Sequence, residues 1–414
     1  MSTSTPPHRA VGEDVHDLLL FVVAGEHSGD ALGGKLMSAL SAMRRGRVRF
    51  VGVGGPLMAA QGLVPQFPLE DVAVMGPGAI LARLPLILRR IRGTANAAVA
   101  AEPDAVVIID SPEFTHPIAK RIRKRNPDIP IIDYVSPSVW AWRPGRARKM
   151  RPYVDHILAL WPFEPEVHRN LGGPACSFVG HPLGERRAWI DALDASLLQE
   201  RFGLSQDVPV IVVLPGSRSS EISRLMQPFG ETLDILRGTG RKFDVILPVV
   251  PSVRPVVEKH LASWSMRPLL VDSEEDKFRA FKLARAALAA SGTVTLELGF
   301  AGTPMVVAYR VGKVAAPLFR RLIKAPSTVL PNLVLGRNVV PEFHQEKSTP
   351  ANLAKALAEA MDDGPARSRQ LDALAQLPAA LQLPGDTPSE AAARIVIDYA
   401  ENGRGWPRPG LPLK

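Results

Sequence analysis

Short runs of apolar residues recur along the chain, separated by stretches with helical spacing. Leu18–Ala24, Val48–Val53, Ala105–Ile109, Ile129–Tyr134 and His156–Leu160 form one series. After Gly180-His181-Pro182 a second begins, with Val208–Leu214, Val245–Val249, Ala286–Ala290 and Pro304–Ala308. Runs this short and this uniformly apolar predict strands buried on both faces, the habit of parallel sheets covered by helices. The stretch from about Ala31 to Met43 has the spacing of such a covering helix. The repeated strand–helix–strand rhythm predicts an α/β fold of two Rossmann-like, doubly wound domains joined near residues 181–190. The expected partition is a polar, disordered tail over 1–16, domains over 17–185 and 186–380, and a C-terminal helix and tail over 381–414, packing back or swapped. Ligands of such sheets sit beyond the carboxyl ends of the strands, so two facing domains would make a cleft.

Composition changes the picture in three ways. At 414 residues the chain exceeds one ordinary core, and 46% hydrophobic with 22% charged residues fits a soluble globular protein. The net charge of +9 favours anionic partners: a nucleotide, a nucleic acid or an acidic membrane surface. The single cysteine, Cys176, excludes an internal disulfide framework and a Cys-based zinc cluster, and points to a reducing cytosol. No apolar stretch is long enough to cross a bilayer, and Leu18–Ala24 lacks the length and cleavage pattern of a signal peptide. There is no Asp-x-Asp pair and no His-Glu-x-x-His, so a mechanism without metal or other cofactor is expected.

Candidate chemistry gathers where predicted strands end. Ser291, Gly292 and Thr293 in ASGTVTLE would present free amides at a helix N-terminus, which suits a phosphate, and Glu297 one turn on can accept both hydrogens of a ribose diol. The alternative is a simple turn in which Ser and Thr cap a helix. Ser217 and Arg218 in LPGSR occupy the same kind of position, and an Arg can fork onto phosphate oxygens. Neither GxGxxG after the first strand of either half nor a P-loop is present, which argues against the usual dinucleotide and NTPase sites. Asp110 ends an apolar run, where it is placed as a general base or as a helix cap, and Glu113 follows closely enough to assist it. SPSVWAW, with Ser136 and Trp140, precedes a basic run from Arg143 to Arg151 and reads as a sugar or lipid platform or as core. AILARLPLILRRIR, with Ile80, Leu81, Arg83, Leu86, Arg89 and Arg90, reads as a helix lying in an anionic headgroup layer or as a buried helix with a basic rim.

Taken in order, VVAGEHSGD, FVGVGGPLM, VAVMG, YVSPSVWAW, FVGHPL, LPGSR, ASGTVTLE, PMVVAYR and LPNLVLGR resemble the lipid-A-disaccharide synthases, a family of glycosyltransferases, over residues of about 18 to 350. The resemblance implies a GT-B fold. It implies an inverting transfer of 2,3-diacylglucosamine from UDP onto 2,3-diacylglucosamine 1-phosphate (lipid X), giving a β-1,6 disaccharide and UDP at the inner face of the inner membrane. It assigns Ser217, Arg218, Ser291, Gly292, Thr293, Glu297, Asn332, Arg337 and Gln345 to UDP-sugar binding and Asp110 to the base, with Glu26 and Ser28 in the first glycine loop. A homodimer swapped through the C-terminal region is also implied. His27 stands where Ala is usual, and DSPEF replaces DAPDF, placing Glu113 where Asp is usual. A 2-epimerase-like enzyme of the same fold is the rival enzyme reading. A nucleic-acid-binding protein is the rival from another class, which the 6% aromatic content and lack of an RNA-binding motif disfavour.

Overall fold

A computed structural model describes residues 17–74, 77–312 and 326–404. The expected tail over 1–16 lies outside the described residues. The strands are β1 (Leu18–Ala24), β2 (Val48–Val53), β3 (Val64–Pro65), β4 (Ala105–Ile109), β5 (Ile131–Tyr134), β6 (His156–Ala159) and β7 (Ala175–Phe178), then β8 (Val210–Leu214), β9 (Asp244–Pro248), β10 (Leu269–Val271), β11 (Ala284–Ala290), β12 (Met305–Tyr309) and β13 (Glu342–His344). They form two sheets, ordered β3-β2-β1-β4-β5-β6-β7 and β10-β9-β8-β11-β12-β13. The pairs with assigned register are parallel throughout. This is the α/β, Rossmann-like architecture that the apolar runs predict.

Uniform apolarity has a direct cause in the second sheet. Ile211 and Val213 enter one buried cluster, while Val210, Val212 and Leu214 enter another. Alternate residues of β8 therefore face two separate cores, so no position along it is left for a polar side chain. In the first sheet Leu18, Leu20, Val22 and Ala24 of β1 are fully buried, and so are Val23 and the whole of β4. The strands absent from the sequence reading, β3, β7, β10 and β13, are two to four residues long. These are the edge strands of the two sheets, and strands so short carry too little apolar signal to stand out.

The chain divides into two compact units. The first takes residues up to Pro137, Met150–Leu158 and the segment from Ser389 onward; the second takes Ser138–Lys149 and Ala159–Pro388. The helix Pro388–Asn402 returns the chain end to the first unit. Its Val396 and Tyr399 are buried, the Tyr399 hydroxyl lies 3.2 Å from His156 Nδ1, and Arg404 Nε donates to Asp155 at 2.9 Å.

Each sheet reverses its order at one place. In the first the reversal lies between β1 and β4; in the second, between β8 and β11. Loops leaving such neighbouring strands diverge to opposite faces and open a crevice at the carboxyl edge. Four of the segments with candidate chemistry, GEHSGD, DSPEF, PGSR and SGT, are the loops at these two reversals.

Candidate active site

The first reversal joins the loop after β1 to the loop after β4. The helix His27–Met43 begins earlier than the apolar spacing suggests, with Glu26 at its N-cap position, because Ser28, Gly29 and Asp30 form its first turn. Gly25 permits close approach: a Cβ there would meet the Ser111 Cβ at 2.8 Å. Asp30 is buried and accepts backbone N–H bonds from Gly55 at 2.8 Å, Met58 at 3.0 Å and Leu57 at 3.0 Å. It thus ties GEHSGD to the GGPLM loop after β2. Its signal, an acid inside a glycine loop, was present in the sequence, but nothing there named its partners.

Asp110 and Ser111 both sit in the left-handed region, with φ of +52° and +44°. Consecutive non-glycine residues there cost about 1–3 kcal/mol each, and such strain is concentrated at working sites. The strain is held by the Asp110 N–H donating to Tyr134 O at 2.9 Å and by the Thr115 hydroxyl donating to Asp110 O at 2.8 Å. The result points the carboxylate toward the first glycine loop, where Asp110 Oδ2 accepts the Ser28 hydroxyl at 3.2 Å. The Ser111 hydroxyl is buried with no hydrogen-bond partner. Asp110 and Ser28 are therefore brought together; Glu26 and Glu113 are exposed beside them, Glu113 in the first turn of the helix Pro112–Arg125.

The second reversal carries the other two loops. Gly216 has φ +119°, and a Cβ on it would lie 2.6 Å from Glu221 Oε2. Glu221, in the first turn of the helix Ser219–Gly238, accepts from the Ser217 N–H at 3.3 Å and from Arg218 Nη1 at 3.0 Å. A carboxylate thus occupies the donors that a phosphate would use. Its spacing three residues after Arg218 was legible in the sequence as a helix-face pair.

After β11, the Ser291 hydroxyl donates to Thr328 O at 2.7 Å, and Gly292 has φ +158° with open space where a side chain would be. Thr293 takes the N-cap position of the short helix Val294–Phe300 without a side-chain capping bond. Glu297 Oε2 is 2.8 Å from Lys277 Nζ, both about one quarter exposed. No local signal links Lys277 to Glu297; packing of the helix Glu274–Leu283 supplies the pair.

The downstream residues differ in how far their polar groups are engaged. Asn332 is buried; its Oδ1 accepts the Val339 and Val340 N–H groups at 2.9 Å, and its Nδ2 donates to Val340 O at 2.9 Å. It locks the LPN…GR segment rather than presenting an amide outward. Arg337 is exposed and donates to Gln376 at 2.9 Å. Gln345 has φ +49° and a buried Nε2 without a hydrogen-bond partner. Nearby, Glu342 is held down to a pKa of about 2: burial pushes it up, but bonds from His344 and from Thr328 outweigh that. Ser136 is buried with its hydroxyl on Pro137 O, and Trp140 donates to Glu164 at 3.2 Å.

The basic apolar segment forms part of the helix Pro77–Ala101. Leu81 is 71% exposed, and Leu84 and Leu88, which the sequence reading did not single out, are 40% and 39% exposed. Arg89 is exposed and Leu86 half-buried, whereas Arg83 donates to Glu70 O and Arg90 pairs with Asp71 over the Phe67 ring. The Ile80 side chain lies outside the described ones. Among the described residues no helix is long and apolar enough to cross a membrane, and no group of three or more His, Cys, Asp or Glu is placed to hold a metal.

Comparison with known proteins follows the same lines. A solved MnaA–UDP co-structure from S. aureus superposes with a TM-score of 0.62 at 16% identity, covering 93% of this chain and 97% of that one. A glycosyltransferase from Rickettsia africae gives 0.56 at 13% identity, covering 94% and 99%. At such identities these likenesses show the fold alone. Sequence relatives are nearer: the lipid-A-disaccharide synthase of Nitrobacter hamburgensis is 53% identical over 93% of this chain and 96% of its own length. That of Rhodospirillum centenum is 44% identical over 92% and 94%. The profile of the lipid-A-disaccharide synthetase family matches residues 20–396, so the chain belongs to the lipid-A-disaccharide synthase family of glycosyltransferases.

Proposed function

We propose that the chain joins UDP-2,3-diacylglucosamine to 2,3-diacylglucosamine 1-phosphate by an inverting displacement, releasing UDP. The observation that carries this reading is the strained Asp110 at the carboxyl edge of β4, its carboxylate 3.2 Å from the Ser28 hydroxyl. A serine hydroxyl at that distance shows that the carboxylate can accept a hydrogen bond from an alcohol. Asp110 takes the proton of the acceptor's 6′-hydroxyl as that oxygen attacks the anomeric carbon. The loops at the second reversal hold the nucleotide. Arg218 exchanges its bond to Glu221 for the diphosphate, Ser217 and the Gly292 and Thr293 amides add neutral donors (the Ser291 N–H, expected to be free, is taken by Ala308 O at 3.2 Å), and charge growing on the leaving group is stabilised there. Glu297 takes the ribose hydroxyls with Lys277 as its counter-ion. Asn332 keeps the LPN…GR segment in shape, Arg337 contributes from that segment, and Gln345 contributes from the stretch after β13. UDP release measured with the donor alone and again with the acceptor added tests the reading. Release that depends on the acceptor supports transfer; acceptor-independent turnover of the UDP-sugar contradicts it.

Both substrates are acylated, so the enzyme works at a lipid surface, and the reading places it on the cytoplasmic face of the inner membrane. Leu81, Leu84 and Leu88 lie three and four residues apart on one exposed stripe, with Arg89 beside it. Changing Leu84→Glu and Leu88→Glu together removes apolar contact worth ~1–2 kcal/mol per side chain. Flotation with anionic vesicles should show binding reduced about tenfold or more. Equal flotation of variant and parent would remove this helix from the membrane role.

A further inference from the structure

The SPSVWAW segment has no part in the chemistry above, yet it lines an apolar hollow. This hollow, about 450 Å³, is bounded by Trp140, Phe163, Val167, Leu171, Pro326 and Leu333, among others. All of these belong to the second unit, which takes Ser138–Lys149 away from the first. The wall is fixed rather than fluid. Trp140 stands edge-on to Phe163 with ring centres 5.4 Å apart, and its indole N–H donates to Glu164 Oε1 at 3.2 Å. Glu164 is 1% exposed, and its other oxygen accepts the Trp161 N–H at 3.3 Å. One oxygen of the buried carboxylate thus fixes the Trp140 ring and the other the backbone at Trp161, and the hollow beside them is mainly apolar. A preformed hollow of this size and character suits an alkyl chain.

Its position says which chain. Pro326 lies two residues before Thr328, whose carbonyl accepts the Ser291 hydroxyl at 2.7 Å, and Leu333 directly follows the locked Asn332. The hollow therefore shares its framework with the loop assigned to the diphosphate. We infer that it receives an acyl chain of the UDP-linked donor and measures its length. The inference rests on the second unit being the UDP-sugar holder.

The test uses the full chain, with UDP-diacylglucosamine donors that differ only in acyl length, and titration with UDP itself. Val167→Phe narrows the hollow and Val167→Ala widens it. For Val167→Phe the ratio of KM for the long-chain donor to KM for the short-chain donor should rise about tenfold, the scale of a few methylenes in a hydrophobic pocket. For Val167→Ala the preference should shift toward longer chains. Kd for UDP should stay as in the parent, which also reports that each variant is folded. An unchanged chain-length preference in both variants, with UDP still bound, would overturn the inference. A parent chain that bound no UDP would instead sink the donor-site reading beneath it.

Discussion

At the residue scale, Asp110 and Asn332 show how far residue type alone reaches. An acid at the end of an apolar run was legible as a base or a cap. The left-handed φ that aims it at Ser28 was not, because backbone strain is set by the tertiary bonds from Tyr134 and Thr115. Asn332, by contrast, reads as a ligand residue by resemblance, and its amide is spent inside the protein. Asn332→Ala leaves the Val339 and Val340 N–H groups without their acceptor. The expected loss is about 3 kcal/mol of folding stability, since each stranded buried donor costs on the order of 1–3 kcal/mol. Urea denaturation checks this, and an unchanged midpoint would show that the LPN…GR segment is held by other means. Partners such as Glu221 and Lys277 fall between these cases. Neither was singled out from the sequence: the first sits one helical turn from Arg218, a spacing the sequence does carry, while the second reaches Glu297 from a separate helix and has no local signal.

At the element scale, strands buried on both faces were legible because neither core leaves room for polar residues. Edge strands and helix starts were less so, since a two-residue strand or a polar first turn leaves no apolar trace. Two of the buried histidines have displaced titration. His156 on β6 and His168 on the helix Glu164–Asn170 are pushed down from 6.5 to about 4 by burial, with Asp155 opposing the shift at His156. As pH falls from 6.5, the unfolded chain binds these protons before the folded one does. Stability is therefore full above 6.5 and is lost as pH drops toward about 4. The loss should be about 1–3 kcal/mol per histidine. Urea midpoints measured across that window should fall, and His168→Asn should remove part of the slope. A flat profile from neutral pH down to the lower value would contradict the burial argument.

At the scale of the whole molecule, the family resemblance was carried by loops strung over most of the chain, and the two sheet reversals explain why those loops matter. The return of the chain end was harder to read, because nothing in the sequence pairs Tyr399 with His156. Tyr399→Ala should cost about 3–5 kcal/mol, as for other large buried side chains, and near-parental stability would show the C-terminal helix to be dispensable to the first unit. The central claim is that Asp110 takes the acceptor's proton. The most direct measurement is acceptor-dependent UDP release by Asp110→Asn, set beside the Kd for UDP. The account predicts turnover reduced about 10²–10⁴-fold with UDP binding unchanged; near-parental turnover with UDP still bound would contradict it.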